Sequence, residues 1–159
     1  MYIEIKRKPR EHMSDFAKNK KAFFDYEILE TFETGVALTG TEVKSVKAGK
    51  ISIKEAFVKI LSNELWLVNS HVAEYEQANR FNHNPTRSRK LLMKRREIDR
   101  LIGRIKEAGL TLVPISVYSK NRLVKVEIAL AKGKKTHDKR NTIKERDLQR
   151  ELGRDIKLK

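Results

Sequence analysis

Apolar and polar positions alternate in short runs from residue 23 to residue 131, and a helical period interrupts that alternation once. In the run from Phe24 to Phe32, Tyr26 and Ile28 alternate with charged neighbours, the mark of a strand with one buried face. Glu33-Thr34-Gly35 reads as a turn, with Val36-Ala37-Leu38 returning as a second strand. Thr41 is placed to cap a short helix with Val43 and Val46 on one side, and Gly49 is placed to end it. The run from Ala56 to Leu61 predicts a strand. Ser62-Asn63-Glu64 is its hairpin loop, and Leu65-Trp66-Leu67-Val68 is the return, continuing toward Val72. From Glu74 to Arg89 the chain is polar and irregular, with Pro85 as a breaker. Ile98, Leu101, Ile102 and Ile105 place one apolar stripe along a helix from Glu97 to Ala108, which Gly109 stops. Leu91-Leu92-Met93 reads as the apolar start of that helix or, functionally, as an apolar surface for exposed bases. A last hairpin runs from Thr111 to Tyr118, turns at Lys120-Asn121-Arg122 and returns from Leu123 to Leu130. There Leu112, Pro114, Ser116 and Tyr118 fall on one face, and Val113, Ile115 and Val117 on the other.

About six short strands with one long helix predict a mainly β protein with helices, an OB-fold-like small antiparallel β-barrel. An open α+β sheet is the alternative, because strand count does not fix closure. Three parts are expected: a flexible basic arm over 1–22, the barrel over 23–131, and a charged tail over 132–159. The tail carries 11 basic residues against 5 acidic ones, and Leu148, Leu152 and Ile156 recur every four residues. That stripe is too narrow to fold alone, so the tail is expected to be disordered and to become helical on a binding surface.

Charge narrows the partner. The chain of 159 residues holds 36 Lys and Arg against 21 Asp and Glu, a net +15, and 36% of its residues are charged. Soluble domains average roughly 25% charged. Such an excess favours a polyanion, whether RNA, DNA or an anionic membrane, and nucleic acid is preferred over a basic protein with no such partner. There are no cysteines, so no disulfide, thiolate metal site or Cys nucleophile exists. No apolar run approaches the roughly 18 residues of a membrane span, and the start of the chain lacks a signal-peptide pattern. A cytoplasmic location is expected. Met13 is a second candidate start beside Met1.

Catalytic chemistry finds little support. His12, His71, His83 and His137 lack metal-ligand spacing, no glycine-rich phosphate loop occurs, and nothing in the sequence brings Glu42, Glu55 and His83 together. No enzyme, metal or cofactor is expected; a small nuclease using Glu42 and His83 is the rival in that class. Phosphate binding is the stronger signal. Its candidates are Asn19, Lys20 and Lys21; Lys44, Lys47 and Lys50; and the run Arg87, Arg89, Lys90, Lys94, Arg95 and Arg96. Phe24 leads Phe23, Tyr75 and Phe81 as a stacking platform for unpaired bases, while Trp66 reads as structural.

Three segments in order go further. They run from Asn19-Lys20-Lys21-Ala22-Phe23-Phe24 through Gly40-Thr41-Glu42-Val43-Lys44-Ser45, then Asn84-Pro85-Thr86-Arg87-Ser88-Arg89-Lys90-Leu91-Leu92, then Leu130-Ala131-Lys132-Gly133-Lys134-Lys135-Thr136-His137-Asp138-Lys139-Arg140. Together they resemble the SsrA-binding (SmpB) family. The resemblance implies an OB-fold barrel that binds the tRNA-like domain of transfer-messenger RNA and enters stalled ribosomes with elongation factor Tu, bound through the RNA. It implies a tail directed to the small-subunit decoding centre and messenger channel, and no catalysis. Position by position, it implies RNA contacts at Asn19, Glu33 and Leu92, and ribosome contacts at Gly133, His137, Asp138, Lys139 and Arg140, with Lys134 and Lys135 of the same basic segment as further candidates. Phe24 stands where many members have His, Ser119 follows Tyr118 where an aromatic is common, and residues 1–12 match nothing in the family. A structural ribosomal or general RNA-binding OB protein remains the rival reading.

Overall fold

The computed structural model describes residues 14–78 and 81–157. The expectations for residues 1–12 and for Met1 or Met13 as the start lie outside the described residues. The architecture is mainly β with four helices. In chain order the elements are β1 (Asp15–Lys18), α1 (Lys20–Asp25), β2 (Tyr26–Val36), α2 (Gly40–Lys47), β3 (Ile51–Ser52), β4 (Phe57–Leu61), β5 (Glu64–Val68), β6 (His71–Val72), β7 (Arg89–Leu92), α3 (Arg95–Ala108), β8 (Thr111–Lys120), β9 (Leu123–Gly133) and α4 (Thr136–Lys157).

Seven antiparallel strands pair in the order β1-β8-β4-β5-β7-β2-β9, and β9 pairs with β8 as well. The pairing therefore runs around a circuit from β8 through β4, β5, β7, β2 and β9 back to β8, with β1 outside it. The circuit closes between β4 and β8 at one register pair, Val58 opposite Leu112. β3 and β6 form a separate two-stranded ribbon.

The main core gathers inward side chains of every circuit strand except β2 as fully buried members, among them Val58, Leu65, Leu67, Leu91, Leu112, Val126, Ile128 and Leu130. The α3 stripe lies on it: Ile98 and Leu101 are buried, and Ile102 and Ile105 pack beside them. Arg104 donates to Glu30 and ties α3 to β2. A second, smaller cluster lies under α1, where Ala22 meets Val113, Ile115, Ala129 and Ala131. β8 and β9 are thus covered on both faces, which is why β8 reads as a nearly continuous apolar run.

Several expectations are corrected. There is no turn at Glu33-Thr34-Gly35: β2 is continuous and pairs with β9 from Tyr26 opposite Gly133 to Gly35 opposite Lys125. Gly35 serves close strand approach instead, since a Cβ there would lie 3.3 Å from the Leu92 Cβ. The folded body begins earlier than residue 23, because β1 pairs with β8, Lys18 opposite Ser116. Thr39, not Thr41, caps α2. Leu91 and Leu92 lie in a strand, Leu91 opposite Leu65, and the long helix starts only at Arg95. On β8 a bulge between Pro114 and Ser116 shifts the alternation by one. Val117 therefore joins Leu112 in the main core, while Val113 and Ile115 face α1.

The tail is helical rather than disordered, and its first turns are anchored to α1. The Lys134 amide donates to the Asp25 carbonyl at 2.9 Å, and its Nζ donates to the Phe23 carbonyl at 3.2 Å. Lys139 pairs with Asp25 at 3.3 Å, and the Arg146 guanidinium sits 5.7 Å from the Phe24 ring centroid. A helix attached at one end loses less entropy on forming than a free one. Asp138 in its first turn also suits the helix dipole.

Candidate nucleic-acid interface

The basic run from Arg87 begins on a buried carboxylate. Glu42 occupies the first turn of α2, where its Oε2 accepts the Thr39 N–H at 2.9 Å. That places its carboxylate, with no solvent exposure, between two guanidiniums. Arg87 donates Nε to Oε1 at 3.0 Å and Nη2 to Oε2 at 2.7 Å, and Arg89 donates Nε to Oε1 at 2.9 Å. The remaining Arg89 donors reach Ser70 Oγ (3.0 Å) and the carbonyls of Ser70, Arg87, Asn84 and Pro85. Burial by itself would raise the Glu42 carboxyl; the Arg87 and Thr39 hydrogen bonds and the Arg89 charge outweigh it and hold the group at about 2. Burial lowers the Arg89 guanidinium from its usual range despite the Glu42 charge, while the Glu42 hydrogen bond raises that of Arg87. The three charges form one structural knot that closes the long loop before β7 onto α2. Arg89, expected on a phosphate, is 1% exposed and committed to this knot. Arg87 keeps an exposed edge, but its fork is spent on Glu42.

The fold does bring Glu42 and His83 near each other, through Thr41. His83 is buried; its Nδ1 lies 2.9 Å from Thr41 Oγ1 and its Nε2 lies 2.9 Å from the Val72 carbonyl. A carbonyl only accepts, so Nε2 carries a proton toward it. With Glu42 locked between arginines and both His83 nitrogens occupied, neither group is placed to move a proton. Glu55 lies elsewhere, in an exposed ion pair with Lys21 at 3.0 Å.

Asn19 is also internal. It is 4% exposed and caps α1, its Oδ1 accepting the Ala22 N–H at 3.1 Å. Its Nδ2 donates to the Ile53 and Pro114 carbonyls at 3.1 and 3.0 Å. Both donors and one acceptor position bind protein, so this amide joins α1, β8 and the segment after β3 and is turned into the protein. Beside it lies a pocket of about 190 Å³ lined by Lys21, Lys54, Glu55, Tyr26 and Phe57 among others. Glu55 holds the Lys21 ammonium above its ordinary value through a hydrogen bond and its charge. Lys20 is exposed, and Phe24 is half-buried beneath Arg146.

The other expected contacts line the outer faces of β2, β7 and β5. Glu33 is partly exposed and accepts from Tyr118 Oη at 2.5 Å and from Lys120 Nζ at 3.1 Å to each oxygen. Burial pushes its carboxyl up, but those hydrogen bonds and the Lys120 and Lys125 charges together hold it below the ordinary carboxylate value. Leu92 is 51% exposed, opposite Gly35. Next to it Lys90 pairs with Glu64 at 2.8 Å, and the register sets Lys59, Trp66 and Lys90 side by side across three strands. On the other flank Lys44 sits 5.2 Å from the Tyr75 ring centroid, and Lys50 pairs with Glu76 at 3.3 Å. Asn82 and Tyr75 exchange two hydrogen bonds that pinch the loop, and Phe81 next to them is 90% exposed.

At the tail, Gly133 ends β9, and Lys134 and Lys139 turn toward α1. Lys135, His137, Asp138 and Arg140 are exposed. Sequence reasoning missed Tyr118 and Lys120 as partners of Glu33, and Asp25 as the anchor of the tail. Glu42 was weighed only as an acid–base group, although the spacing Thr39 to Glu42 signals a capping carboxylate. No helix among the described residues is long and apolar enough to cross a membrane.

Comparison with known proteins gives a single answer. The model of the family described as SmpB protein matches residues 16–158. The SsrA-binding protein of Carboxydothermus hydrogenoformans is 51% identical over 143 residues, covering 90% of this chain and 96% of that one. The SsrA-binding protein of Shouchella clausii is 53% identical over 141 residues, covering 89% and 90%. Among solved structures, a chain from "tmRNA-SmpB: a journey to the center of the bacterial ribosome" superposes with a TM-score of 0.62 at 46% identity, covering 76% of this chain and 85% of that one.

Proposed function

The chain belongs to the SmpB protein family, and from that premise we propose that it binds the tRNA-like domain of transfer-messenger RNA and delivers it to stalled ribosomes. The observation that carries this reading is that family membership spans both the folded body and the tail, residues 16–158. The RNA arrives with elongation factor Tu, in the cytoplasm. The six-strand circuit supports reading the body as a small OB-type barrel, whose outer face offers Glu33, Lys90 and Leu92, flanked by Lys44 on one side and Lys20 and Phe24 on the other. Lysines neutralise phosphates and release counterions. Leu92 supplies an apolar contact for a base or sugar, and Glu33 accepts from a base amino group or a 2′-hydroxyl. The protein supplies shape and charge rather than catalysis. On the ribosome the tail, led by Gly133, Lys134, Lys135, His137, Asp138, Lys139 and Arg140, enters the decoding centre and the messenger channel.

The test has two stages. Full-length protein binds a transcript of the tRNA-like domain more tightly than a transfer RNA of equal length, and a chain truncated after Ala131 retains that binding but fails to tag peptides on stalled ribosomes. Equal binding of the two RNAs refutes the first stage. Normal tagging by the truncated chain refutes the second.

A further inference from the structure

Glu33 is an unusual group to offer to a polyanion, and the strand register makes its position costlier still. It lies directly opposite Glu127 on β9, a like-charge pair across neighbouring strands. Three β8 residues answer this. Ser116 Oγ donates to Glu127 Oε2 at 2.9 Å and draws that carboxylate aside. Tyr118, only 2% exposed, directs its hydroxyl to Glu33 Oε2 at 2.5 Å, and Lys120 spans both Glu33 oxygens at 3.1 Å. A buried phenol on a rigid strand holds its partner with little freedom, while Lys120 approaches from the exposed side. A carboxylate held this way has its orientation fixed, and of its roughly four lone-pair sites these donors engage three, which leaves one on Oε1 for an outside donor.

We propose that Tyr118 and Lys120 are positioning residues that fix the Glu33 carboxylate in place as the hydrogen-bond acceptor for transfer-messenger RNA, an inference that rests on the reading of Glu33 as an RNA contact. Tyr118 touches no RNA in this scheme; it acts through Glu33. The charged and titratable groups facing Glu33 are Tyr118 and Lys120 from β8, and Lys125 and Glu127 from β9.

The experiment is a double-mutant cycle on full-length protein with a transcript of the tRNA-like domain. Tyr118→Phe is expected to weaken binding about tenfold, the size of one hydrogen bond to a charged group. It is expected to have no further effect in a Glu33→Ala background. Lys120→Met should weaken binding and Lys120→Arg should restore it, which gives a second route if Tyr118→Phe unfolds. Affinity should also fail at a higher pH in Tyr118→Phe than in the parent, because Glu33 then protonates more easily. Equal losses in both backgrounds, or an unmoved acid limit, overturn the positioning role while leaving Glu33 as a contact. Unweakened binding by Glu33→Ala overturns the contact itself, and the inference with it.

Discussion

Replacing Glu42 by Gln tests the knot that organises the loop before β7. The substitution keeps the shape but removes the charge, and the amide turns a donor toward guanidiniums that have only donors to offer. Arg89 would remain buried with its Oε1 partner neutralised. Breaking a buried pair from one side costs about 3–5 kcal/mol. Titration points to a similar size: a carboxyl held at about 2 instead of its ordinary 4.5 stabilises the folded state by about 3 kcal/mol at neutral pH. For a chain of this length each kcal/mol lowers the melting temperature by roughly 2–4 °C, so a fall of roughly 6–20 °C is expected at pH 7. The sign of the pH dependence follows from the lowered value. The Glu42 contribution is fully present above about 4.5 and is lost as pH falls from there toward about 2. The parent should lose stability over that window relative to Glu42→Gln, and the gap between them should narrow. Melting followed by circular dichroism from pH 7 to pH 3 measures it, since other carboxylates titrate alike in both proteins. A gap under about 1 kcal/mol at pH 7, well below the cost of a broken buried pair, or a gap that stays constant into acid, would refute the reasoning.

Lys44→Ala and Lys90→Ala should each weaken RNA binding and reduce the slope of log affinity against log salt by about one unit or less, read from a filter-binding salt titration; an unchanged slope returns that lysine to a solvated role. Asp25→Asn combined with Arg146→Ala removes the Lys139 ion pair and the contact on Phe24. Helical circular dichroism from the tail should then drop in the free protein while melting of the body stays put, and an unaltered helical signal would show that α1 does not anchor α4. Gly35→Val should displace Leu92, whose Cβ already lies 3.3 Å from the space a side chain would take. The expected cost is about 1–3 kcal/mol of stability together with weaker RNA binding, and parental values for both would show that the two strands separate easily.

Local pattern alone determined a good deal. The stripe Ile98, Leu101, Ile102 and Ile105 specified α3, because a 3.6-residue period needs nothing outside its own segment. The final hairpin was legible from its alternation, and its turn holds Asn121 and Arg122 at positive φ, as a two-residue connection demands. Net charge pointed to a polyanion, and three ordered motifs pointed to the family. What only the tertiary structure decided are contacts between distant segments. A run of basic residues has the same composition whether it is solvated or buried; Glu42, 45 residues before Arg87 and 47 before Arg89, engages its first two members and buries Arg89. Asn19 looked like a polar group beside lysines until its amide met carbonyls 34 and 95 residues away. Gly35 looked like a turn because glycine favours turns, yet here a side chain would crowd Leu92 on the neighbouring strand. The bulge after Pro114 reversed an alternation that is regular on paper, since register depends on the partner strand. The sequence placed Tyr118 only on one face of its strand; that it is buried and that its hydroxyl reaches Glu33, 85 residues earlier, follows only from the pairing of β8 and β2 with β9. Periodicity reports which face of an element is apolar, and only the closed circuit of strands sets what that face, and the polar one behind it, will touch.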